Sequence, residues 1–394
     1  MNIDEEVKAF SSELIELRRN FHSHPEIGFK EFRTSGIIAD YLESLGMEVR
    51  KNIAGTGVSA LLKGHEEGAR VLLRSDMDAL PVREETGLDF ASENEGVMHA
   101  CGHDGHMAML LVAAKILSSH TDRIKGSILF VFQPNEEEAG AEKMIEDGLF
   151  EDGLPDGALG IHLWSPLPTG TIGINAGPIM AASHYFYITV KGKGGHAGIP
   201  HKAVDPVDTA AKIVEDMQHL QTRELDALEE PTVIMFTGIH GGSAPTVVPS
   251  EVELMGSIRF LHDREEFLHR RFEETVSHIC SMTGTDHDLK IVTGNRLLSN
   301  HPELTELVLA QAENTVGREN ISGNMRMMVG EDFAEFSRRI DSAFYFVGTG
   351  NREKGTDISH HHPHFNIDED SLATGVKMHV RTALAFLDKK ASER

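Results

Sequence analysis

The sequence predicts an α/β protein of two domains, the larger built from both ends of the chain and the smaller inserted between them. Three observations carry this. At 394 residues the chain exceeds what one ordinary core holds. Short apolar runs alternate with helical patterns before residue 165 and again after 295, as in a layered α/β fold. Between them the order becomes strand–helix–strand–strand–helix, which fits a small α+β sandwich.

Composition narrows the function classes. Hydrophobic residues at 40% and charged residues at 25% are those of a globular protein. Lys and Arg total 37 against 62 Asp and Glu, a formal charge of −25, which argues against a nucleic-acid partner. No apolar segment follows a basic start, and none is long enough to span a membrane. The two cysteines, Cys101 and Cys280, lie in unlike contexts, so a cytoplasmic, disulfide-free protein is expected. Cys280 closes the apolar stripe Phe272, Val276 and Ile279, and reads as a buried small residue.

The elements follow in order. Val7, Phe10, Leu14 and Leu17 mark a first helix, which His24-Pro25 stops. A second runs over residues 29–45 to Gly46. Residues 58–62 and 70–74 read as strands, the second running into Asp76-Met77-Asp78. Acids spaced by one residue past a strand share a side of the chain, where open α/β sheets build their sites. Residues 127–132 form a continuous apolar run, a strand buried on both faces, that delivers Glu136-Glu137-Glu138. After a helix at 141–147, residues 159–164 form another short strand with His162 at its tip. The inserted segment reads as a strand at 184–191, a helix at 206–220, strands at 232–239 and 247–260, and a helix at 264–282, ending near 288–292. The last part reads as a helix at 302–316, a helix opened by Gly330-Glu331-Asp332-Phe333, a strand at 343–347 and a helix at 371–387.

The chemistry concentrates in His99-Ala100-Cys101-Gly102-His103-Asp104-Gly105-His106. Cys101 and His103, alternate residues of a tight turn, can aim at one ion, and thiolate, imidazole and carboxylate suit a borderline transition metal. Glu137, His162 and one histidine of residues 360–362 are further candidate ligands; spacing alone does not choose among those three. Such a set exceeds one tetrahedral site and suits two ions about 3.5–4 Å apart. Of the adjacent Glu136 and Glu137, one can bind metal while the other stays free as general base. Asp78 is a candidate supporting acid, and His196, in a Gly-rich turn, a candidate hydrogen-bond donor to an oxyanion. Isolated, each has a bland alternative: a buried thiol, a solvated acidic turn, a surface histidine.

Together these motifs carry a resemblance that covers nearly the whole chain. It runs from Arg18-Arg19-Asn20-Phe21-His22-Ser23-His24-Pro25-Glu26 through Asp76-Met77-Asp78-Ala79-Leu80-Pro81 and the Cys101 stretch to Gln133-Pro134-Asn135-Glu136-Glu137 and Ile161-His162-Leu163. It continues in Gly194-Gly195-His196-Ala197-Gly198-Ile199-Pro200-His201, Gly330-Glu331-Asp332-Phe333 and His361-His362-Pro363-His364-Phe365. The chain resembles the dinuclear metal-dependent amidohydrolases of the aminoacylase/carboxypeptidase superfamily. It is most similar to the branch of N-acyl-amino-acid amidohydrolases, hippurate hydrolases and auxin-conjugate hydrolases.

The resemblance implies a catalytic domain with a mixed sheet flanked by helices, at residues 1–178 and 295–394, and an inserted smaller α+β sandwich lid and dimerisation domain at 179–294. It implies Cys101, His103, Glu137, His162 and His361 as ligands of two divalent ions. Glu136 is implied as base, Asp78 as the acid behind the ligands, and His196 as the oxyanion-side histidine of its own or a partner subunit. Zinc, manganese, cobalt and nickel all fit the donor set. The implied reaction is hydrolysis of N-acyl-amino acids by a homodimer; a dipeptidase or carboxypeptidase, or a non-catalytic metal-binding scaffold, are the alternatives. Arg259 and His201 are candidate partners for a substrate carboxylate. The chain departs from the family pattern at Asn135, where a small residue is common, at Thr246, where Asn is usual, and at Asn366, where Asp is common.

Overall fold

The computed structural model describes residues 1–394, and the chain divides into two compact units. The first comprises residues 1–177, 299–325 and 332–394; the second comprises 178–298 and 326–331. Two cuts do not describe this division. Residues 326–331 join the inserted segment because Met327 N–H donates to Ile179 O at 2.9 Å and Ala181 N–H to Met327 O at 3.1 Å.

The first unit is built on an eight-stranded mixed sheet. Its strands include β1 (Glu48–Ile53), β2 (Gly57–Lys63), β3 (Glu66–Asp76), β4 (Lys125–Gln133) and β5 (Gly157–Pro168). The order is β1-β2-β4-β3-β5, followed by Ser342–Gly350, Ile172–Gly173 and Ile321–Ser322. β3 pairs in parallel with β4 and β5, and β5 in parallel with Ser342–Gly350. The middle of each is apolar on both faces because helices cover both sides, as parallel sheets require. The helix His103–Ser118 is apolar almost all round and lies in the core with the helices Ser11–Ser23 and Leu372–Ser392.

The second unit carries the strands Ala182–Lys191, Thr232–His240, Glu251–Phe260 and Asp286–Thr293 in one antiparallel sheet. With the helices Pro206–His219 and Glu265–Thr283 it has the strand order of a ferredoxin-like split β-α-β fold. Phe186, Ile188 and Val190 face the helices while Tyr185 and Tyr187 are exposed, the alternation of a one-sided sheet.

Several elements differ from the sequence reading. The first helix is two, Ile3–Ala9 and Ser11–Ser23. β1 is missing from the reading because only one of its residues is buried, which removes the apolar run. The expected strand 247–260 is broken into Val247–Val248 and Glu251–Phe260, with Pro249, which has no N–H to donate, in the gap. The expected helix after Gly330 shrinks to Ala334–Ser337, since Asp332 is drawn into a buried charge network instead of serving a helix start.

His379, on Leu372–Ser392, is buried with Nδ1 unpartnered, and burial pushes its pKa down to about 3 from an ordinary 6.5. Below that ordinary value the unfolded chain binds a proton that the folded chain refuses. Stability is therefore lost as pH falls from about 6.5 towards 3, at up to about 1.4 kcal/mol per pH unit for this group. Urea denaturation between pH 7 and 5 is expected to show a shallower slope for His379→Met than for the parent; identical slopes would contradict the assignment.

Candidate metal centre

The sheet's pairing ends where the ligand candidates begin. β3 and β4 last pair at Asp76↔Gln133, and β3 and β5 at Arg74↔Gly160. Asp78, Glu136 and Glu137 follow these strand ends, the usual place for a site in an open α/β sheet. His162 is not at a strand tip, since β5 continues to Pro168, but it lies past the last residue that β3 pairs. Gly102, at φ 89°, turns the chain between Cys101 and the helix that starts at His103.

The five expected ligands come together. Single donor atoms of Cys101, His103 and His162 lie within 4.8 Å of one another, and so do those of Cys101, Glu137 and His361. The Cys101 sulfur is common to both triads. It stands 3.5 Å from His162 Nε2, while His361 Nε2 stands 3.2 Å from Glu137 Oε1. Glu136 is buried and forms a further group with His103 and Glu137. Its Oε1 accepts a long bond from Asp332 N–H at 3.4 Å.

Hydrogen bonds set which nitrogen each imidazole presents. His162 Nδ1–H donates to its neighbour Leu163 O at 2.7 Å, turning Nε2 to the site. His103 Nδ1–H donates to Asp78 O at 2.8 Å and lies 3.3 Å from Asp78 Oδ1, again freeing Nε2. Asp78 Oδ2 accepts Glu137 N–H at 3.1 Å, so one acid supports two ligands. His361 N–H donates to Ala100 O at 2.8 Å, and its φ of 63° is a strained value for a non-glycine residue. The other two histidines of that run are occupied. His360 donates to Leu163 O at 3.0 Å and stacks on Trp164, while His362 Nδ1 accepts His364 N–H at 3.1 Å.

A second layer fixes these groups. Leu163 N–H donates to His106 Nε2 at 2.8 Å, and His106 Nδ1–H donates to Asp76 Oδ1 at 2.6 Å. Arg74 donates to Asp76 Oδ2 at 2.7 Å, to Gln133 at 2.9 Å and to Asp332 at 3.0 Å. Burial alone would raise the Asp76 pKa; His103, His106 and Arg74 overcome it and hold the carboxylate ionised. Burial pushes His106 down, which keeps it the neutral acceptor that Leu163 needs. Asp76 and His106 thus satisfy each other and offer no vacant donor to an ion. On the other side of the turn, Arg18 and His22 hold Asp104 at 2.9 and 2.8 Å, which anchors the helix start.

The donor chemistry fits metal. His103 Nε2 is buried and makes no hydrogen bond, a costly state that a cation would relieve. Cys101 and Glu137 raise the His361 pKa to about 10, so a proton sits among donors that suit a metal.

The remaining candidates, His196, His201 and Arg259, belong to the second unit. His196 is exposed on Gly195–His196, which pairs with Val247–Val248, and its Nδ1 accepts Gly198 N–H at 2.9 Å. His201 is exposed in the turn Pro200–Lys202, and Arg259 donates to Met328 O at 3.2 Å. His99 is buried with neither ring nitrogen bonded. The sequence motifs contain Gln133 and Asp332 without a role for either, and single out neither Arg74 nor Glu31. An arginine inside the apolar strand 70–74 was a visible signal; nothing local pointed to Asp332. Glu31 accepts Asn135 N–H at 3.0 Å and holds it at φ 52°, a left-handed value that Asn tolerates. Gly28 makes room for Asn135, since a Cβ there would sit 1.7 Å from its Oδ1.

A layered sheet that brings thiol, imidazole and carboxylate donors together beside the buried Glu136 is the arrangement of a metal-dependent hydrolase. Residues 72–385 match the peptidase family M20/M25/M40, and the chain belongs to that family. It is 42% identical over 303 residues to the N-acyl-L-amino acid amidohydrolase of Geobacillus stearothermophilus, covering 75% of this chain and 80% of that one. It is 36% identical over 393 residues to thermostable carboxypeptidase 2 of Saccharolobus solfataricus, covering 98% of each. The crystal structure of the Bacillus subtilis YXEP protein, a dinuclear metal-binding peptidase of the M20 family, superposes with a TM-score of 0.85 at 31% identity, covering 97% of this chain and 99% of that one.

Replacing His106 with Ala strips Leu163 N–H of its acceptor, at a cost of about 1–3 kcal/mol for a buried donor. It also loosens the peptide that orients His162. Zinc affinity measured by chelator competition is expected to fall about 10–100-fold; a variant destabilised but with parental affinity would show that the peptide does not govern the ligand.

Proposed function

We propose that the chain hydrolyses the amide bond of N-acyl-amino acids, releasing a carboxylic acid and a free amino acid. Cys101, His103, Glu137, His162 and His361 hold two divalent ions, with zinc, manganese, cobalt and nickel all compatible. The observation that carries this reading is the Cys101 sulfur shared by two donor triads, with the buried Glu136 beside them. The amidohydrolase relative supports the substrate class. The carboxypeptidase relative favours a second reading, a peptide amide at the same centre.

Bound ions supply Lewis-acid polarisation of the scissile carbonyl and acidify water. The protein supplies the proton carrier and its setting. Glu136 takes a proton from the attacking water as oxygen bonds to the carbonyl carbon. It delivers that proton to the amide nitrogen as the C–N bond breaks, so the amino acid leaves as a neutral amine. Asp78 fixes His103 and the Glu137 backbone, and His196 is assigned to hydrogen-bond the developing oxyanion, in its own or a partner subunit's site.

The substrate and assembly complete the proposal. A small-molecule N-acyl-amino acid is the partner, not nucleic acid, in keeping with the net charge of −25. A homodimer formed through the inserted unit is supported by exposed Tyr187, Met235, Ile239 and Met255. A cytoplasmic setting is supported by two free, buried cysteines. No helix is long and apolar enough to cross a membrane.

Glu136→Gln is expected to keep its full metal content while turnover of acyl-amino acids falls at least about 10²–10⁴-fold. Steady-state assays and elemental analysis of the same preparation check both halves, and parental turnover would reject Glu136 as the base. Across a panel, acyl-amino acids should exceed dipeptides in kcat/KM; the reverse order selects the peptidase reading.

A further inference from the structure

The second unit contains another cluster of metal-type donors that amide hydrolysis leaves unused. His184 stands in the strand Ala182–Lys191 with its ring fully buried. Glu265 and His269 lie one turn apart in the first part of the helix Glu265–Thr283, so they share a helix face. His184 Nδ1 is 2.7 Å from His269 Nε2, and His184 Nε2 is 3.7 Å from Glu265 Oε1. One donor atom from each of the three residues lies within 4.8 Å of the others. Phe260 packs edge-on against the His184 ring, with centroids 5.2 Å apart, and limits its rotation.

A hydrogen bond between the two imidazoles accounts for half of this arrangement. It leaves His184 Nε2 buried with no partner. If Nδ1 donates to His269, Nε2 is a bare lone pair; if Nδ1 accepts, the Nε2 proton faces a carboxylate oxygen at 3.7 Å, too far for a hydrogen bond. Either state is costly at a buried position. A cation between strand and helix satisfies that nitrogen beside the Glu265 carboxylate, and His269, whose Nε2 faces His184 Nδ1 without the ion, joins it by turning its ring. Two imidazoles, one carboxylate and an open position make a common zinc-type ligand set. Burial, His269 and Arg296 push His184 down to about 4, and burial lowers His269, so both rings keep lone pairs at neutral pH. Arg296 donates to Glu265 Oε1 at 3.1 Å, which steadies the carboxylate.

We propose that His184, Glu265 and His269 bind one divalent transition-metal ion of the zinc class, separate from the hydrolytic centre. The ion ties a central strand of the second unit's sheet to the helix packed on it. Because it binds only the folded arrangement, it stabilises that unit.

The test compares the full chain with His269→Ala and Glu265→Gln, both at partly exposed positions, with folding of each checked by circular dichroism. Each protein is loaded with zinc, freed of excess by gel filtration and assayed for zinc per chain. The proposal expects each variant to hold one equivalent less than the parent, with a smaller zinc-dependent rise in Tm and unchanged acyl-amino acid turnover. The same pair of measurements in a Cys101→Ala background isolates this site, because the loss of one equivalent on His269→Ala persists there whatever becomes of the hydrolytic centre. Equal zinc content in parent and both variants overturns the proposal.

Discussion

The Cys101 sulfur is the point on which the rest of the first unit turns. It belongs to one triad with His103 and His162 and to another with Glu137 and His361. Those partners come from a helix start, a strand, the loop after another strand and a loop near the C-terminus. A single atom can serve both triads only if all four segments are held to within a fraction of an ångström. The buried polar structure beneath the site is therefore a condition of the chemistry.

That structure works through a few peptide groups. The Leu163 backbone is bonded on both sides, its N–H to His106 and its carbonyl to His162 and His360. Behind it, Arg74 ties β3, β4 and Asp332 into one charge network. A buried guanidinium is tolerated there because carboxylates and an amide take its donors; removing one partner would leave charge uncompensated at about 3–5 kcal/mol. The same arrangement keeps Asp76 anionic and His106 neutral, so second-layer groups do not compete for the ion. His103 Nε2 stays without a hydrogen bond, open to an ion.

Much of this was legible in the sequence, for identifiable reasons. Strands buried on both faces announce themselves as apolar runs, so β3, β4 and β5 could be placed together with the residues that follow them. Cys101, His103, Glu136 and Glu137 are legible because their residue types are rare after such strands. His361 could be separated from His360 and His362 only through family resemblance; in the structure His361 Nε2 stands 3.2 Å from Glu137 Oε1, while His360 Nε2 and His362 Nδ1 are hydrogen-bonded elsewhere. The roles of Asp332 and Glu31 were not legible because their partners lie far along the chain. Asn135 looked like a departure, and its left-handed backbone with Gly28 opposite accounts for it. The return of residues 326–331 to the second unit rests on backbone hydrogen bonds, which carry no side-chain signal.

The most direct test of a shared sulfur is the metal content of Cys101→Ala, measured by elemental analysis on the folded protein beside the parent. A ligand common to both triads predicts that the hydrolytic ions and acyl-amino acid turnover are lost together. Full metal content with Cys101 removed would contradict the account, because it would show that the two triads do not depend on that atom.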